Sequence, residues 1–303
     1  MKRRKFIQHT AAGAALATIG NLGLQSFASL ENVEKITILH TNDVHSHIDA
    51  FGPEDGRNAN KGGVARRASL IDSIRKENPN TLLLDAGDIF QGTPYFNYYG
   101  GELEFKLMSK LKYDAATIGN HDFDNGIEGL YAQLPHAEFE FISANYDFSN
   151  TIMDTHTKPY KVFKKGNIKI GVFGLGIELD GLVDPAMFKE TKYLDPVETS
   201  QEMTRILKTQ EQCDLIICLS HLGYHYKGNK ISDLKLAEAT RDIDLIIGGH
   251  THTFLSKPTV VKNLDGNNML VNQVGCYGIN LGKIDFYFDA SKNKSANGTS
   301  IIV

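Results

Sequence analysis

A chain of 303 residues can hold one large hydrophobic core or two modest ones. Its composition, 41% hydrophobic and 22% charged, is that of an ordinary globular protein, and a net charge of −4 excludes a surface built to coat a nucleic-acid polymer. Three cysteines, Cys213, Cys218 and Cys276, are too few for a disulfide scaffold; the first two border or lie in an apolar run and are expected as buried thiols.

The first 28 residues differ from the rest. Lys2-Arg3-Arg4-Lys5-Phe6-Ile7 is a basic cluster with paired arginines. A mildly apolar stretch rich in Ala and Gly follows from Thr10 to Leu24, then Ser26-Phe27-Ala28, with small residues at the spacing a signal peptidase reads. Residues 1–28 resemble a twin-arginine export signal, which implies a periplasmic destination. The stretch is too short and too weakly apolar for a membrane span, and nothing later in the chain comes nearer.

From Glu34 onward, strand-like runs alternate with helical patterns. Strands are expected over Lys35–His40, Thr81–Asp85, Ala115–Gly119, Asn167–Gly174, Asp214–Leu219, Asp242–Gly248, Asn268–Val274 and Lys283–Asp289. Leu82-Leu83-Leu84 reads as a strand buried on both faces. Helices are expected over Gly63–Lys76, where Val64, Ala68, Ile71 and Ile74 recur at spacings of three and four, over Glu102–Leu111, and over Pro196–Gln212. Glu54–Gly63 is polar and Gly-rich, as in a surface loop. Strand and helix in alternation predict an α/β domain over residues 34–290, with sheets covered by helices. Residues 291–303, low in apolar content until the end, are expected to form a flexible tail that frays.

Chemistry-bearing residues follow the apolar runs in five places: Asp43 and His45; Asp88; Asn120; His221; and His250 and His252. Ligands at the carboxyl ends of strands sit where active sites form in α/β sheets. Asp43 and His45 are two apart, as are His250 and His252, so in extended chain each pair faces one way. Gly87 and Gly119 precede Asp88 and Asn120 and permit a sharp turn. Any single block reads as a turn or a satisfied surface histidine, but five such blocks at five strand ends are not a coincidence. Carboxylate, amide and imidazole together suit two adjacent divalent ions, which activate water for attack on phosphorus. With nitrogen and oxygen donors only, zinc, manganese, iron and cobalt all fit.

The ordered set Asp43-x-His45, Gly87-Asp88-x-x-Gln91, Gly119-Asn120-His121-Asp122, His221 and Gly249-His250-x-His252 resembles the calcineurin-like metallophosphoesterases. Leu39-His40-Thr41-Asn42-Asp43, Asp85-Ala86-Gly87-Asp88 with Gln91-Gly92-Thr93, and Asn120-His121-Asp122-Phe123-Asp124 narrow this to the secreted 5′-nucleotidase branch. The resemblance spans about residues 35 to 288. It implies a four-layer αββα sandwich and hydrolysis of phosphate esters, above all nucleotides. Asp43, His45 and His252 would hold one ion, Asn120, His221 and His250 the second, and Asp88 would bridge them. His121 would act on the phosphoryl or leaving-group oxygen, and Asp124 would orient it. Asp122 matches an acidic position of the family without an assigned role.

Full-length members of that branch carry a second domain that stacks the nucleobase between aromatic rings. Here 51 residues follow His252, and they read as closing strands. Two expectations result: a separately encoded specificity domain that docks on this one, or a broader phosphomonoesterase or phosphodiesterase, acting for example on 2′,3′-cyclic nucleotides or nucleotide sugars. Tyr95, Phe96, Tyr98 and Tyr99 are expected to pack at a helix start. A non-catalytic metal-binding subunit is the rival reading; it leaves the His121–Asp124 pair without a purpose.

Overall fold

The structure, a computed structural model, describes residues 33–303. The export-signal expectation for residues 1–28 lies outside the described residues. Two mixed six-stranded sheets dominate. The strands are β1 (Glu34–Thr41), β2 (Thr81–Asp85), β3 (Ala115–Ala116), β4 (Glu140–Phe141), β5 (Tyr146–Asp147), β6 (Tyr160–Lys165), β7 (Ile168–Leu175), β8 (Lys192–Tyr193), β9 (Leu215–Ser220), β10 (Leu245–Gly248), β11 (Thr259–Lys262), β12 (Asn268–Asn272), β13 (Asn280–Phe288) and β14 (Lys294–Ile302). One sheet runs β14-β13-β1-β2-β3-β4, the other β11-β12-β10-β9-β7-β6; β5 and β8 form a small separate pair. The central neighbours β1, β2 and β3 are parallel, as are β7, β9, β10 and β12, so their carboxyl ends share one rim of each sheet.

Side-chain alternation makes the layers. Ile36, Ile38, Leu82 and Leu84 from one sheet meet Ile170, Val172, Ile217 and Ile247 from the other in a single buried cluster between them. Leu39 and Leu83 point the opposite way, onto Ile71, Ile74, Phe105 and Met108 of the helices Val64–Glu77 and Glu102–Lys110. Phe173, Ile216, Cys218 and Ile246 point outward from the second sheet onto Met203, Leu207, Leu236 and Ala237. The order is therefore helix, sheet, sheet, helix, the αββα sandwich expected. Each fully buried Ile, Leu, Val or Phe among them contributes about 1.5–3 kcal/mol.

The tail is the main correction. Instead of fraying, Lys294–Ile302 pairs antiparallel along the whole of β13. An edge strand needs only backbone partners and one covered face, so its low apolar content does not count against it. The Val303 N–H donates to the Ile279 carbonyl at 2.9 Å, and its own carbonyl accepts from Gly62 at 2.8 Å. β3 is shorter than expected because the chain leaves the sheet after Ala116 to turn into the site. The helix from Pro196 ends at Arg205 and continues as a π-helical turn over Ile206–Gln210. The Glu54–Gly63 stretch holds one short turn of 3-10 helix, Gly56–Asn58, and no longer element. All three cysteines are buried and free. Phe96 is buried against Phe90, as expected of packing at a helix start, whereas Tyr98 lies 82% exposed. Among the described residues no helix is long and apolar enough to cross a membrane.

Candidate active site

The strand ends of both sheets converge on one rim. Asp43 and His45 leave β1, Asp88 leaves β2, Asn120 and His121 follow β3, His221 follows β9, and His250 and His252 follow β10. The backbone there is unusual. Asp43, His45, Asp88, His250 and His252 all have positive φ, at 49°, 49°, 56°, 71° and 50°. Asp and His tolerate this region better than most residues, yet each instance costs about 1–3 kcal/mol and persists only where neighbours hold it. Close approach does the rest. A Cβ on Gly119 would lie 2.2 Å from Asp88 Oδ1, and one on Gly87 (φ 87°) would lie 2.6 Å from the Gly119 nitrogen.

Two ligand groups result, Asp43–His45–His252 and Asp88–His221–His250, the ligand atoms within each lying inside 4.8 Å of one another. Asn120 joins the second group, its Oδ1 2.8 Å from His250 Nδ1. Asp88 Oδ2 lies between the groups, 3.1 Å from His221 Nε2 and 3.8 Å from His45 Nε2.

The donor set suits cations. The His221 Nδ1–H donates to the Ala86 carbonyl at 2.6 Å, which turns its Nε2 inward, 3.1 Å from the Asp88 carboxylate. Likewise His45 Nδ1 donates to the Phe90 carbonyl at 3.1 Å, and its Nε2 meets His252 Nε2 at 3.0 Å. Ring nitrogens and carboxylate oxygens crowded this closely call for positive charge among them, supplied by protons on the imidazoles or by a bound cation. The protonation pattern reports the same field. Burial works against a charge on His221, but the Asp88 carboxylate outweighs it and pushes this histidine up to about 10. His252 is pushed up to about 10 by its hydrogen bond to Asp43, with Cys276 adding to the effect. Burial pulls His250 down to about 4, and the neighbouring His221 pulls the same way.

His121 stands apart. Its backbone N–H donates to Asp88 Oδ1 at 2.8 Å, but its side chain is 39% exposed. Its Nδ1 lies 3.0 Å from Asp124 Oδ2, and this bond raises the imidazole above its ordinary value. Its ring centroid is 5.3 Å from that of His45, so it faces the ligand groups without joining either.

All nine residues singled out in the sequence thus come together. The structure adds others. Asp122, which carried no assigned role, is buried under the Asp88 loop and accepts four backbone N–H groups: Asp88 and Gly119 on Oδ2, Ile89 and Phe90 on Oδ1. Burial lifts its carboxyl to about 7 in spite of those bonds. Asn42 bridges Asp43 Oδ2 and the Gly275 carbonyl, both at 2.6 Å. Gln273 donates to the Gly249 carbonyl at 2.5 Å and accepts from the Thr253 N–H, which fixes the loop of His250 and His252. Composition and periodicity do not separate Asp122 from Asp124; the family resemblance points to Asp124 alone as the partner of His121. Gln273 lies beyond the last ligand block, and only folding returns it to the rim.

Two stacked sheets flanked by helices, with two adjacent ligand groups on one rim, define the metallophosphoesterase class. The chain belongs to the calcineurin-like phosphoesterase family, whose match covers residues 36–254. It is 35% identical to the snake venom 5′-nucleotidase of Crotalus adamanteus over 280 residues, 86% of this chain and 46% of that protein. It is also 35% identical to a human 5′-nucleotidase over 292 residues, 89% of this chain and 49% of that protein. The crystal structure of a 5′-nucleotidase precursor from Thermus thermophilus superposes with a TM-score of 0.80 at 35% identity, over 89% of this chain and 55% of that one. The chain therefore spans about half the length of these relatives.

Proposed function

We propose that this protein hydrolyses phosphate monoesters, with nucleotides as substrates, using two divalent ions held at the rim. The observation that carries the proposal is Asp88 Oδ2, set between histidines of two separate ligand groups, with the His121–Asp124 pair on their open side. Asp43, His45 and His252 are assigned to one ion, Asn120, His221 and His250 to the other, and Asp88 to both. When bound, such ions lower the pKa of water and neutralise charge on phosphoryl oxygens. The protein's own groups do the rest. Carbonyls of Ala86 and Phe90 fix the tautomers of His221 and His45, so that Nε2 faces inward. Asp124 holds His121 Nδ1–H, leaving Nε2 to reach the phosphoryl or leaving-group oxygen. Its raised affinity for a proton suits it to supply one to a departing alkoxide.

The nucleotide preference is supported by the 5′-nucleotidases to which the chain is similar. Purified protein with added manganese, zinc, iron or cobalt should release phosphate from an aryl phosphate and from nucleoside monophosphates. Cyclic nucleotides and nucleotide sugars should be poorer substrates. No turnover with any metal would leave a non-catalytic metal-binding subunit as the better reading.

Export belongs to the same proposal, supported by Arg3-Arg4, Phe6-Ile7 and Ser26-Phe27-Ala28. Replacing Arg3 and Arg4 together with lysine should hold the uncleaved protein in the cytoplasm of a bacterial host. Fractionation with an antibody would read this directly, and unaltered export would dismiss the twin-arginine route.

A further inference from the structure

Beneath the loop of Asp43 and His45 lies a cavity of about 20 Å³, lined among others by Ser46, Arg67, Asp85, Glu104 and Tyr113. Arg67, from helix Val64–Glu77, is 4% exposed, and its Nε and Nη1 have no hydrogen-bond partner. Glu104, from helix Glu102–Lys110, is 5% exposed; its Oε1 accepts from the Ser46 hydroxyl at 2.5 Å, while Oε2 has no partner. A buried guanidinium and a buried carboxylate are each costly when left unpaired.

One group that accepts from Arg67 and donates to Glu104 would satisfy both. Chloride would satisfy the first and repel the second. Water does both, and a site of this size admits about one water, which needs roughly 10–15 Å³. We propose that a buried water joins Arg67 Nε and Nη1 to Glu104 Oε2, and that this pair acts through Ser46 to position the Asp43–His45 loop.

Ser46 is where the two structures meet. Asp43, His45 and Ser46 have φ of 49°, 49° and 56°, three left-handed residues within four positions. Such a loop keeps its shape only if its surroundings over-determine it. Glu104 holds the Ser46 hydroxyl, which also lies 2.8 Å from the Thr93 hydroxyl, and Thr93 donates to the Ser46 carbonyl at 3.0 Å. Gly278 leaves room for the guanidinium where it lies, since a Cβ there would fall 1.9 Å from Arg67 Nη1. Arg67 and Glu104 are thus positioning residues that touch neither ion nor substrate.

The inference rests on the reading of Asp43 and His45 as ligands. Its test is cobalt(II) binding to the intact protein, followed by visible absorption, together with a high-resolution crystal structure. Arg67→Met and Glu104→Gln should each weaken cobalt binding at least about tenfold, the size typical of outer-sphere supports. The double variant should recover most of the loss, because neither a lone Arg67 guanidinium nor a lone Glu104 carboxylate is then left beside the cavity. The exposed neighbour Glu102→Gln should bind as the parent does. Density should hold one oxygen within hydrogen-bond reach of Arg67 Nε and Glu104 Oε2. Losses that simply multiply in the double variant, or an empty cavity in the density, would overturn the proposal; if the variants do not fold, the density decides. A parent protein that binds no cobalt would instead sink the metal reading, leaving the water to be judged by density alone.

Discussion

Asp122 and Asp124 lie two residues apart in one turn and do opposite work. The inner face of the turn carries Asp122, sealed from solvent, with four backbone N–H groups on its two oxygens. The outer face carries Asp124, 30% exposed, with His121 as its side-chain partner. One carboxylate shapes the loop that presents Asp88; the other tunes His121, the group proposed to meet substrate. The same residue type thus divides into architecture and chemistry according to the side of the turn it occupies, and substitutions should separate the two.

The largest effect is expected where the faces meet. Asp88→Ala removes the oxygen between the two groups and should abolish binding of both ions and all turnover; elemental analysis of the purified variant reads this, and retention of either ion at full occupancy would break the shared-oxygen reading. On the outer face, His121→Ala should keep both ions and lose about 10²–10⁴-fold in kcat, the range for a lost general acid. Loss of metal in that variant would move His121 to the architectural side.

Asp122→Asn should behave the other way round. An amide can serve two of the four N–H groups and leaves two buried donors unpaired, at about 1–3 kcal/mol each. We expect a stability loss of about 3 kcal/mol in denaturant melts, with near-parental turnover per metal-loaded molecule. Asp124→Asn should cost about tenfold in kcat while stability stays within about 0.5 kcal/mol. If both variants lost stability and neither lost kcat, the comparison would collapse.

The smallest effect is a control far from the rim. Asp285 on β13 accepts from Thr37 at 2.7 Å and Lys283 at 2.5 Å, and lies 3.0 Å from Lys35. Burial opposes its charge, but Lys283, Thr37 and Lys35 together hold it below the usual carboxylate value. A depressed folded-state pKa means a contribution that is present above the unfolded value and lost as pH falls through the folded one. Asp285→Asn should therefore melt about 1 kcal/mol less stably at pH 7, match the parent near pH 2, and keep full turnover. A difference that persisted at low pH would remove the charge from the explanation.

Much of this was readable in advance, for a physical reason. Hydrophobic periodicity is local, so the buried Leu82-Leu83-Leu84 run and the 3–4 spacing of Val64, Ala68, Ile71 and Ile74 announced strand and helix. Ligands need particular atoms, so Asp43, His45, Asp88, Asn120, His221, His250 and His252 stood out by type and by place after strands. Edge pairing is not local: β14 exists because β13 offers it a row of backbone partners, and no composition of residues 291–303 records that offer. The same holds for the supports of the site. Which of Asp122 and Asp124 turns inward, which loop Gln273 returns to, and how Arg67 and Glu104 come to line one cavity depend on contacts between segments far apart in the chain. The sequence by itself determined the strands at the centre of both sheets, the helices that start at Val64, Glu102 and Pro196, and the atoms that can hold cations. Only the tertiary structure decided which buried polar groups must satisfy one another, because that depends on proximity between elements and is encoded in no single one of them.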